Sequence, residues 1–510
     1  MIIDDSQARG RRILLRGGSL YWTCTLFVLA LMTVAFLYIF GPQFADITYL
    51  LIVNERMIDG ERLYVDVRDI NPPFSVWLYT PYAYLAKLTA ISPYFWLGLG
   101  LVLTLTLSLT AINHLMNRGL NIAPNDRLKA LALIALVCLF IMPVQTAQRE
   151  HFCAIAALPF FYLLGSRLQT KFRPQVWVAL AIGAGAGTLL VLKPHYLFGF
   201  GLPLLFVAWH RRDWRLLFVP EAWALGFTVV GYWICVYFIV PDFFTHMLPI
   251  ALDTYQLRPF PFSQLAMTVL FFYGTPLILL LWLVRELKPI SPTIIVLAIA
   301  SAGFLIGFFW QGKGWPYHLY PALLTLLSSI LFAWQSGASQ TTNPAAAGRM
   351  LRLSAAVVVY IAYLSTSGYR SAIVPKEVIA LKEQRPSTLF ITGDIGISAP
   401  VARAINAKWV ERDPSDYIAV LAQKYVEDES WTDKGSLETF VSNWIDYKAN
   451  ALVTKNPDLI VVDLRNGKWV ELVLADPRIS QGLDNYTVIS RTDQLRYLSR
   501  NDLLASNTSN

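Results

Sequence analysis

The chain has 510 residues, of which 55% are hydrophobic and only 15% are charged. This composition is too apolar for an ordinary soluble protein, and the apolar residues gather in blocks close to the ~20 residues that cross a bilayer. The formal net charge is +8, and its arginines and lysines lie in short clusters between the blocks, as in the cytoplasmic loops of membrane proteins. The sequence therefore predicts a polytopic α-helical membrane protein and argues against nucleic acid as a partner.

The order of basic clusters and apolar blocks predicts the topology. The first block, Ser19 to Ala45, is too long for a signal-peptide core and is predicted to be a retained helix. Clusters predicted on the cytoplasmic side are Arg9/Arg11/Arg12/Arg16, Arg118/Arg127/Lys129, Arg167/Lys171/Arg173, Arg211/Arg212/Arg215, Arg285/Lys288 and Arg349/Arg352. Two crossings lie between each consecutive pair of clusters and one more follows the last cluster, which gives about eleven transmembrane helices. They are predicted near residues 19–41, 94–116, 128–146, 152–166, 175–192, 195–210, 217–240, 263–284, 289–309, 316–335 and 352–369.

The segment Pro73 to Ile91 is apolar enough to be a further crossing, but counting it would place every later basic cluster outside. Its neighbourhood is rich in tyrosine and tryptophan, which favours a helix at the level of the lipid headgroups. The aromatic residues are Trp77, Tyr79, Tyr82, Tyr84 and Tyr94. We therefore predict an outer amphipathic helix that guides lipid chains.

The composition changes at Arg370, which divides the chain into a transmembrane module (1–369) and a small α/β domain (370–510). Short apolar runs predict buried strands at 388–392 and 458–463, and 485–500 predicts a hairpin that turns near 492–493. Helical spacing is found at 374–384 and 414–425. An odd number of crossings places this domain outside the membrane, in the periplasm of a bacterial cell.

The segment from Asp46 to Trp77 follows helix one directly and carries an unusual density of acids, bases and aromatic residues. Further polar segments interrupt the apolar blocks on the predicted outer side. They contain Arg149, Glu150 and His151; Lys193 and His195; His246 and Asp253; and Lys313 and His318. Each residue alone could be an interfacial anchor, a satisfied histidine or a solvated charge. Several ionisable groups gathered on one side of a membrane, however, are typical of a cavity.

A carboxylate near lysines and arginines suits displacement at a sugar carbon that carries a phosphate leaving group. The carboxylate removes the proton from the acceptor hydroxyl, and the cations stabilise the negative charge on the departing phosphate. Nucleotide sugars are absent from the outer side, so the donor is expected to be a lipid phosphate. The four cysteines share no CxxC spacing, so no zinc site or disulfide framework is predicted.

The order of these motifs resembles the polyprenyl-phosphate-dependent glycosyltransferases of the GT-C superfamily, in particular the family-39-like bacterial group that includes the aminoarabinose transferase of lipid A. The matching features, in chain order, are Asp46 with Tyr49, Met57-Ile58-Asp59-Gly60, Asn71-Pro72-Pro73, Glu150, Lys193, Lys313-Gly314, Tyr320-Pro321 and the outer α/β tail.

The resemblance implies an inverting transfer, with Asp46 as the catalytic base and Glu150 supporting the site or a divalent metal. Lys193, Arg149 and Lys313 become candidates for binding the donor phosphate. The family commonly has a lysine before the Pro-Pro pair, where this chain has Asn71, so Arg68 is expected to take over that role. The other candidate substrate-binding residues are Asp69, His151, His195 and His318.

Two other classes of membrane protein share some of these features. A transporter would explain the many helices and buried charges, but it predicts repeated halves with broken helices at matching positions, which the sequence does not show. A sugar polymerase or O-antigen-ligase-type enzyme would use lipid-linked sugars as well, but such enzymes usually place their largest outer loop late and lack an acid after helix one. The expected partners are a polyprenyl-phosphate-linked sugar, an acceptor on a glycan, lipid or protein, and the lipid bilayer.

Overall fold

The computed structural model describes residues 5–255, 260–285, 289–340, 344–367, 374–428 and 434–507. Most of this chain is helical. The α-helices are α1 (Asp5–Phe40), α2 (Ala45–Ile58), α3 (Phe74–Trp77), α4 (Thr80–Thr89), α5 (Pro93–Arg118), α6 (Pro124–Phe140), α7 (Arg149–Thr170), α8 (Val176–Leu192), α9 (Leu197–Arg211), α10 (Pro220–Ile239), α11 (Leu248–Ile250), α12 (Phe262–Val269), α13 (Thr275–Arg285), α14 (Pro292–Gln311), α15 (Tyr320–Gln340), α16 (Pro344–Ser367), α17 (Lys376–Ile379), α18 (Ile395–Ala404), α19 (Tyr417–Glu427), α20 (Gly435–Lys455), α21 (Gly467–Leu474), α22 (Pro477–Leu483) and α23 (Asn501–Asn507). The strands are β1 (Ser387–Ile391), β2 (Lys408–Trp409), β3 (Leu459–Asp463), β4 (Tyr486–Arg491) and β5 (Leu495–Arg500).

Every crossing predicted from the sequence coincides with a helix. Within the described residues, seven helical segments are long and apolar enough to span a bilayer. They are Thr23–Gln43, Pro93–Arg118, Arg149–Thr170, Pro220–Ile239, Phe262–Arg285, Pro292–Gln311 and Pro316–Gln335. The other predicted crossings correspond to α6, α8 and α9, which have 15 to 17 residues, and to the 24-residue α16. The described residues thus contain seven candidate membrane spans, while the count of about eleven stays a prediction.

The chain forms two compact units, and the first comprises residues 1–38, 95–235 and 259–369. Helix α7 and the segment 316–335 lie at its centre. In each of them 94% of the most apolar stretch is buried, whereas only 17% of the corresponding stretch is buried in α10. Helix α14 packs against α7, α9 and α15. The approach of α9 to α14 is close, because a Cβ added at Gly303 would lie 2.2 Å from the Phe198 carbonyl oxygen and one at Gly199 would lie 2.3 Å from the Phe304 ring. Small residues of this kind allow two membrane helices to pack tightly.

The second unit comprises residues 39–94, 236–258 and 370–510. The predicted boundary at 369/370 coincides with a boundary of this unit, which also includes the segment after helix one. Its five-stranded sheet has the order β2-β1-β3-β5-β4, in which β1 is parallel to β2 and β3, and β5 is antiparallel to β3 and β4. The two predicted strands, the hairpin and the two predicted helical segments of the tail are confirmed. The long helix α20, which packs against α19, was not predicted.

The segment 73–91 is helical, as predicted, but it is divided into α3 and α4, which have 4 and 10 residues. Neither helix is long enough to cross a bilayer. Tyr84 and Leu88 on α4 are 52% and 63% exposed, which gives the helix an exposed apolar surface. Its proposed position at the headgroups stays a prediction.

Candidate active site

A break between α8 and α9 presents Lys193. The residue before a proline is restricted to extended conformations, and Lys193, which precedes Pro194, accordingly has φ −146° and ψ 102°. The chain then makes one 3-10 turn, Pro194–Tyr196, before α9 begins. A Cβ added at Gly307 of α14 would lie 2.8 Å from the His195 carbonyl oxygen, so this break packs directly against α14.

A second break, between α14 and α15, presents Lys313. Helix α14 ends at Gln311 and is followed by Gly312, whose φ of 68° places it in the left-handed region, and Gly314 has φ 66°. Glycine adopts this conformation without the steric cost that other residues pay. Pro316 then starts the 3-10 turn Pro316–Leu319, which contains His318. Two glycines and a proline thus explain why an apolar sequence is interrupted at this point.

The two breaks and the start of α7 form a buried polar cluster. The Nζ of Lys193 lies 2.7 Å from Oε1 of Glu150, and the two residues are 8% and 1% exposed. Glu150 stands in the first turn of α7, where the helix dipole favours a negative charge. The Lys193 ammonium also lies 5.4 Å from the ring centre of Tyr317 and 6.0 Å from that of Tyr196, and the Tyr196 hydroxyl donates a 3.1 Å hydrogen bond to the His318 carbonyl.

His318 lies among the cations of this cluster. Its ring has electrostatic interactions with four residues, Lys193, His195, Arg149 and Lys313. His318 is 2% exposed, and its Nδ1 has no hydrogen-bond partner within the described part of the chain. Burial lowers the pKa of Lys313, which is itself 7% exposed. Arg149 is 6% exposed and acts on the Glu150 carboxylate together with Lys193.

The group brings several buried ionisable side chains together. Arg149, Lys193 and Lys313 are cationic, Glu150 is a carboxylate, and all four residues are buried. Ionisable groups buried among apolar helices are costly, and several gathered in one place are typical of a binding or reaction site. The arrangement suits a phosphate, which would accept hydrogen bonds from several cations at once.

His151, a predicted substrate-binding residue, has both ring nitrogens bound to the backbone. Its Nδ1 accepts a 2.8 Å hydrogen bond from the Ala147 amide, and its Nε2 donates to the Cys138 carbonyl at 2.5 Å. The Tyr320 hydroxyl donates to the same carbonyl. The structure therefore gives His151 a structural role at the start of α7, and it is not included in the binding group.

Asp46, the predicted base, lies in the first turn of α2 in the second unit and is half-buried. The Tyr49 hydroxyl, one turn further along α2, donates to the Arg68 carbonyl. Burial raises the pKa of Tyr49 well above its usual value, so this phenol stays a neutral hydrogen-bond donor.

The charged segment after helix one is anchored to the C-terminal domain within this unit. Arg68 donates two hydrogen bonds to the Asp413 carboxylate, at 2.8 and 2.5 Å, and its guanidinium lies 5.5 Å from the Trp444 ring centre. Arg56 donates to the Glu411 carbonyl at 2.7 Å. Asp69 accepts from the Asn71 amide and side chain at 2.7 and 2.8 Å, which closes a turn. Arg68 and Asp69 thus have structural partners, and much of the charge density has a structural explanation.

A second buried network lies inside the C-terminal domain. Lys448, 1% exposed, forms ion pairs with Glu411 and with Asp416. The two oxygens of Asp416 accept hydrogen bonds from the indoles of Trp444 and Trp469, each at 2.9 Å. Burial and the neighbouring Asp416 raise the pKa of Glu411 to about 7. Lys448 on α20 also donates to the Phe390 carbonyl on β1, so the network joins this helix to the sheet.

Two residues that contact the Lys193 side chain were not predicted from the sequence. Tyr196 and Tyr317 flank Lys193. The sequence carried a signal for both, since each tyrosine follows a lysine and a proline within a break.

Arg167 was predicted as a cytoplasmic-loop charge, but it is 7% exposed and forms a bidentate ion pair with the fully buried Glu221. Over the described residues, no three His, Cys, Asp or Glu side chains are grouped to hold a metal ion.

No protein-family model matches the chain, and no curated protein matches it either. The functional assignment therefore rests on the residues and on the geometry described above.

Proposed function

We propose that the protein is a membrane glycosyltransferase of the GT-C type, which transfers a sugar from a polyprenyl-phosphate donor to an acceptor hydroxyl at the outer face of the bacterial inner membrane. The acceptor is a glycan, a lipid or a protein. The observation that supports this proposal best is the buried cluster of Arg149, Glu150, Lys193 and Lys313, which places three cationic side chains inside a unit made of apolar helices. A lipid phosphate carries the negative charge that these cations would bind, and its hydrocarbon tail is soluble among the apolar helices.

The reaction follows from these groups. Asp46, the base implied by the resemblance, accepts the proton of the acceptor hydroxyl, and the oxygen attacks the anomeric carbon from the side opposite the phosphate. The bond between that carbon and the phosphate oxygen breaks, the configuration inverts, and polyprenyl phosphate leaves with the electron pair. Lys193, Arg149 and Lys313 stabilise the charge that gathers on the leaving phosphate. Glu150 holds the Lys193 ammonium in place through its 2.7 Å contact.

The test is a transfer assay with purified, reconstituted protein and a panel of polyprenyl-phosphate sugars. We expect one donor to release polyprenyl phosphate, and we expect Asp46→Asn and Lys313→Gln to fold but to release it at least ~100-fold more slowly. Glu221→Gln is the matched control, because it breaks a buried ion pair in the same unit as Lys313 without touching the cluster.

Equal activity in wild type and Asp46→Asn would remove Asp46 as the base. Equal activity in wild type and Lys313→Gln would contradict the phosphate-binding role of the cluster. Movement of a labelled donor across the bilayer with no bond broken would instead support the transporter class.

A further inference from the structure

A groove of about 310 Å³ lies at the end of α9, in the first unit, away from the cluster around Lys193. It is lined by Trp209, His210, Arg212 and Trp214, which we call the α9 groove. The two indoles are 65% and 57% exposed. Exposed tryptophans at the end of an apolar helix are typical of the interface between a bilayer and water.

The local sequence explains how the groove forms. Helix α9 ends at Arg211 and is followed by Arg212, which adopts a left-handed conformation with φ 51°. Asp213 then accepts a 3.2 Å hydrogen bond from the Arg215 amide and starts the 3-10 helix Trp214–Phe218. This reversal brings Trp214 back beside the last turn of α9. Arg211 is directed elsewhere, since its Nη1 donates to the Leu168 carbonyl at 3.5 Å.

An apolar stripe leads along α9 to the groove. Leu202, Leu205 and Trp209 are spaced by three and four residues, which places them on one helix face. Their side chains are 36%, 47% and 65% exposed. An acyl chain lying on this stripe would bring a headgroup to the groove, where Arg212 and His210 provide donors for a phosphate oxygen.

Charge complementarity identifies the occupant. The two positive charges of Arg212 and the exposed Arg215 exceed the one negative charge of the nearby Asp213. The Asp213 carboxylate already accepts a backbone hydrogen bond. A basic residue at a membrane surface attracts anionic lipids, and the planar guanidinium matches a phosphate better than a zwitterionic headgroup whose own amine competes for it. We propose that the α9 groove binds the phosphate headgroup of an anionic phospholipid, with one acyl chain along Leu202 and Leu205.

This inference goes beyond sugar transfer and does not depend on it, because the readout is lipid retention. Full-length protein is released gently from nanodiscs that contain equal phosphatidylglycerol and phosphatidylcholine, and the retained lipids are counted by native mass spectrometry. Wild type should retain phosphatidylglycerol in preference. Arg212→Gln should reduce that preference about fivefold, since one basic residue near the surface contributes about that factor.

Two variants complete the test. Arg118→Gln is the matched control, because it removes an exposed arginine from the end of another apolar helix, α5, and it should leave the preference unchanged. Trp214→Ala should weaken retention of the bound lipid. Equal retention of the two lipids by wild type, or equal losses in Arg212→Gln and Arg118→Gln, would overturn the proposal and leave only a general electrostatic attraction.

Discussion

The Glu150–Lys193 pair allows structural and functional roles to be separated by a double-mutant cycle. Lys193→Met alone leaves a carboxylate that is 1% exposed without its 2.7 Å partner. Breaking a buried ion pair in this way costs ~3–5 kcal/mol. Replacing both members by apolar residues of similar volume, Glu150→Leu with Lys193→Met, removes the unpaired charge. The double variant also removes the carboxylate on which Arg149 acts, so it is expected to recover only part of the stability that the single variant loses.

Activity should behave differently in the same cycle. If Lys193 stabilises the leaving phosphate, both the single and the double variant lose a factor of ~10²–10³ in turnover. Thermal unfolding is followed by tryptophan fluorescence in one detergent, and turnover is followed by polyprenyl-phosphate release. The cycle at Arg167 and Glu221, a buried pair in the same unit, is the control and should change stability alone.

Two results would refute this reasoning. A double variant that recovers both stability and turnover would show that the pair only supports the fold. A single variant as stable as wild type would show that Glu150 is better solvated than its burial indicates.

The remaining predictions concern the second unit and the topology. Burial and Asp416 raise the pKa of Glu411 to about 7, and its unfolded pKa is ~4.3. The folded chain therefore binds more protons in that window, so the free energy of unfolding falls as pH rises from ~4.3 to ~7, and Glu411→Gln should reduce this slope in denaturant titrations. Arg68→Gln removes the bidentate partner of Asp413, whose side chain is 10% exposed, but leaves the Arg412 guanidinium 3.5 Å away. It should lower the free energy of unfolding by ~1.5–3 kcal/mol, the contribution of hydrogen bonds to a charged group. A reporter fused after Gln148 should read as periplasmic.

Each of these expectations has a contrary outcome. An unchanged pH slope in Glu411→Gln would mean that this carboxyl titrates normally in the folded protein. Full stability of Arg68→Gln would show that its ion pair with Asp413 contributes little, as is usual for exposed pairs. A cytoplasmic signal after Gln148 would place one more crossing before it and would return Pro73–Ile91 to the membrane.

Local features of the sequence predicted the elements that carry the candidate site. Pro194 predicts the break at Lys193, because proline restricts the residue before it. The polar segment around Lys313 likewise interrupts an apolar run of the sequence, and in the structure Gly312 and Gly314 adopt a positive φ there. The strands of the C-terminal domain were equally recognisable as short apolar runs bounded by polar turns.

The partners of the charged residues could not be predicted in this way. Arg68 was expected to bind phosphate, yet it pairs with Asp413, which is 345 positions further along the chain. Arg167 was expected in a cytoplasmic loop, yet its pairing with Glu221 buries it. The residue type and its neighbours in the sequence do not distinguish a binding role from a structural one at Arg68. They do not distinguish a loop charge from a buried ion pair at Arg167.

The sequence by itself determined the membrane character, the positions of the helices and the places where they break. These properties depend on hydrophobicity and backbone restrictions, which act over a few neighbouring residues. Only the tertiary structure decided that Lys193 meets Glu150, that His151 is held by backbone groups and that Arg68 belongs to a structural ion pair. An ionic contact depends on distance and burial, and helix packing sets both between residues that are far apart along the chain.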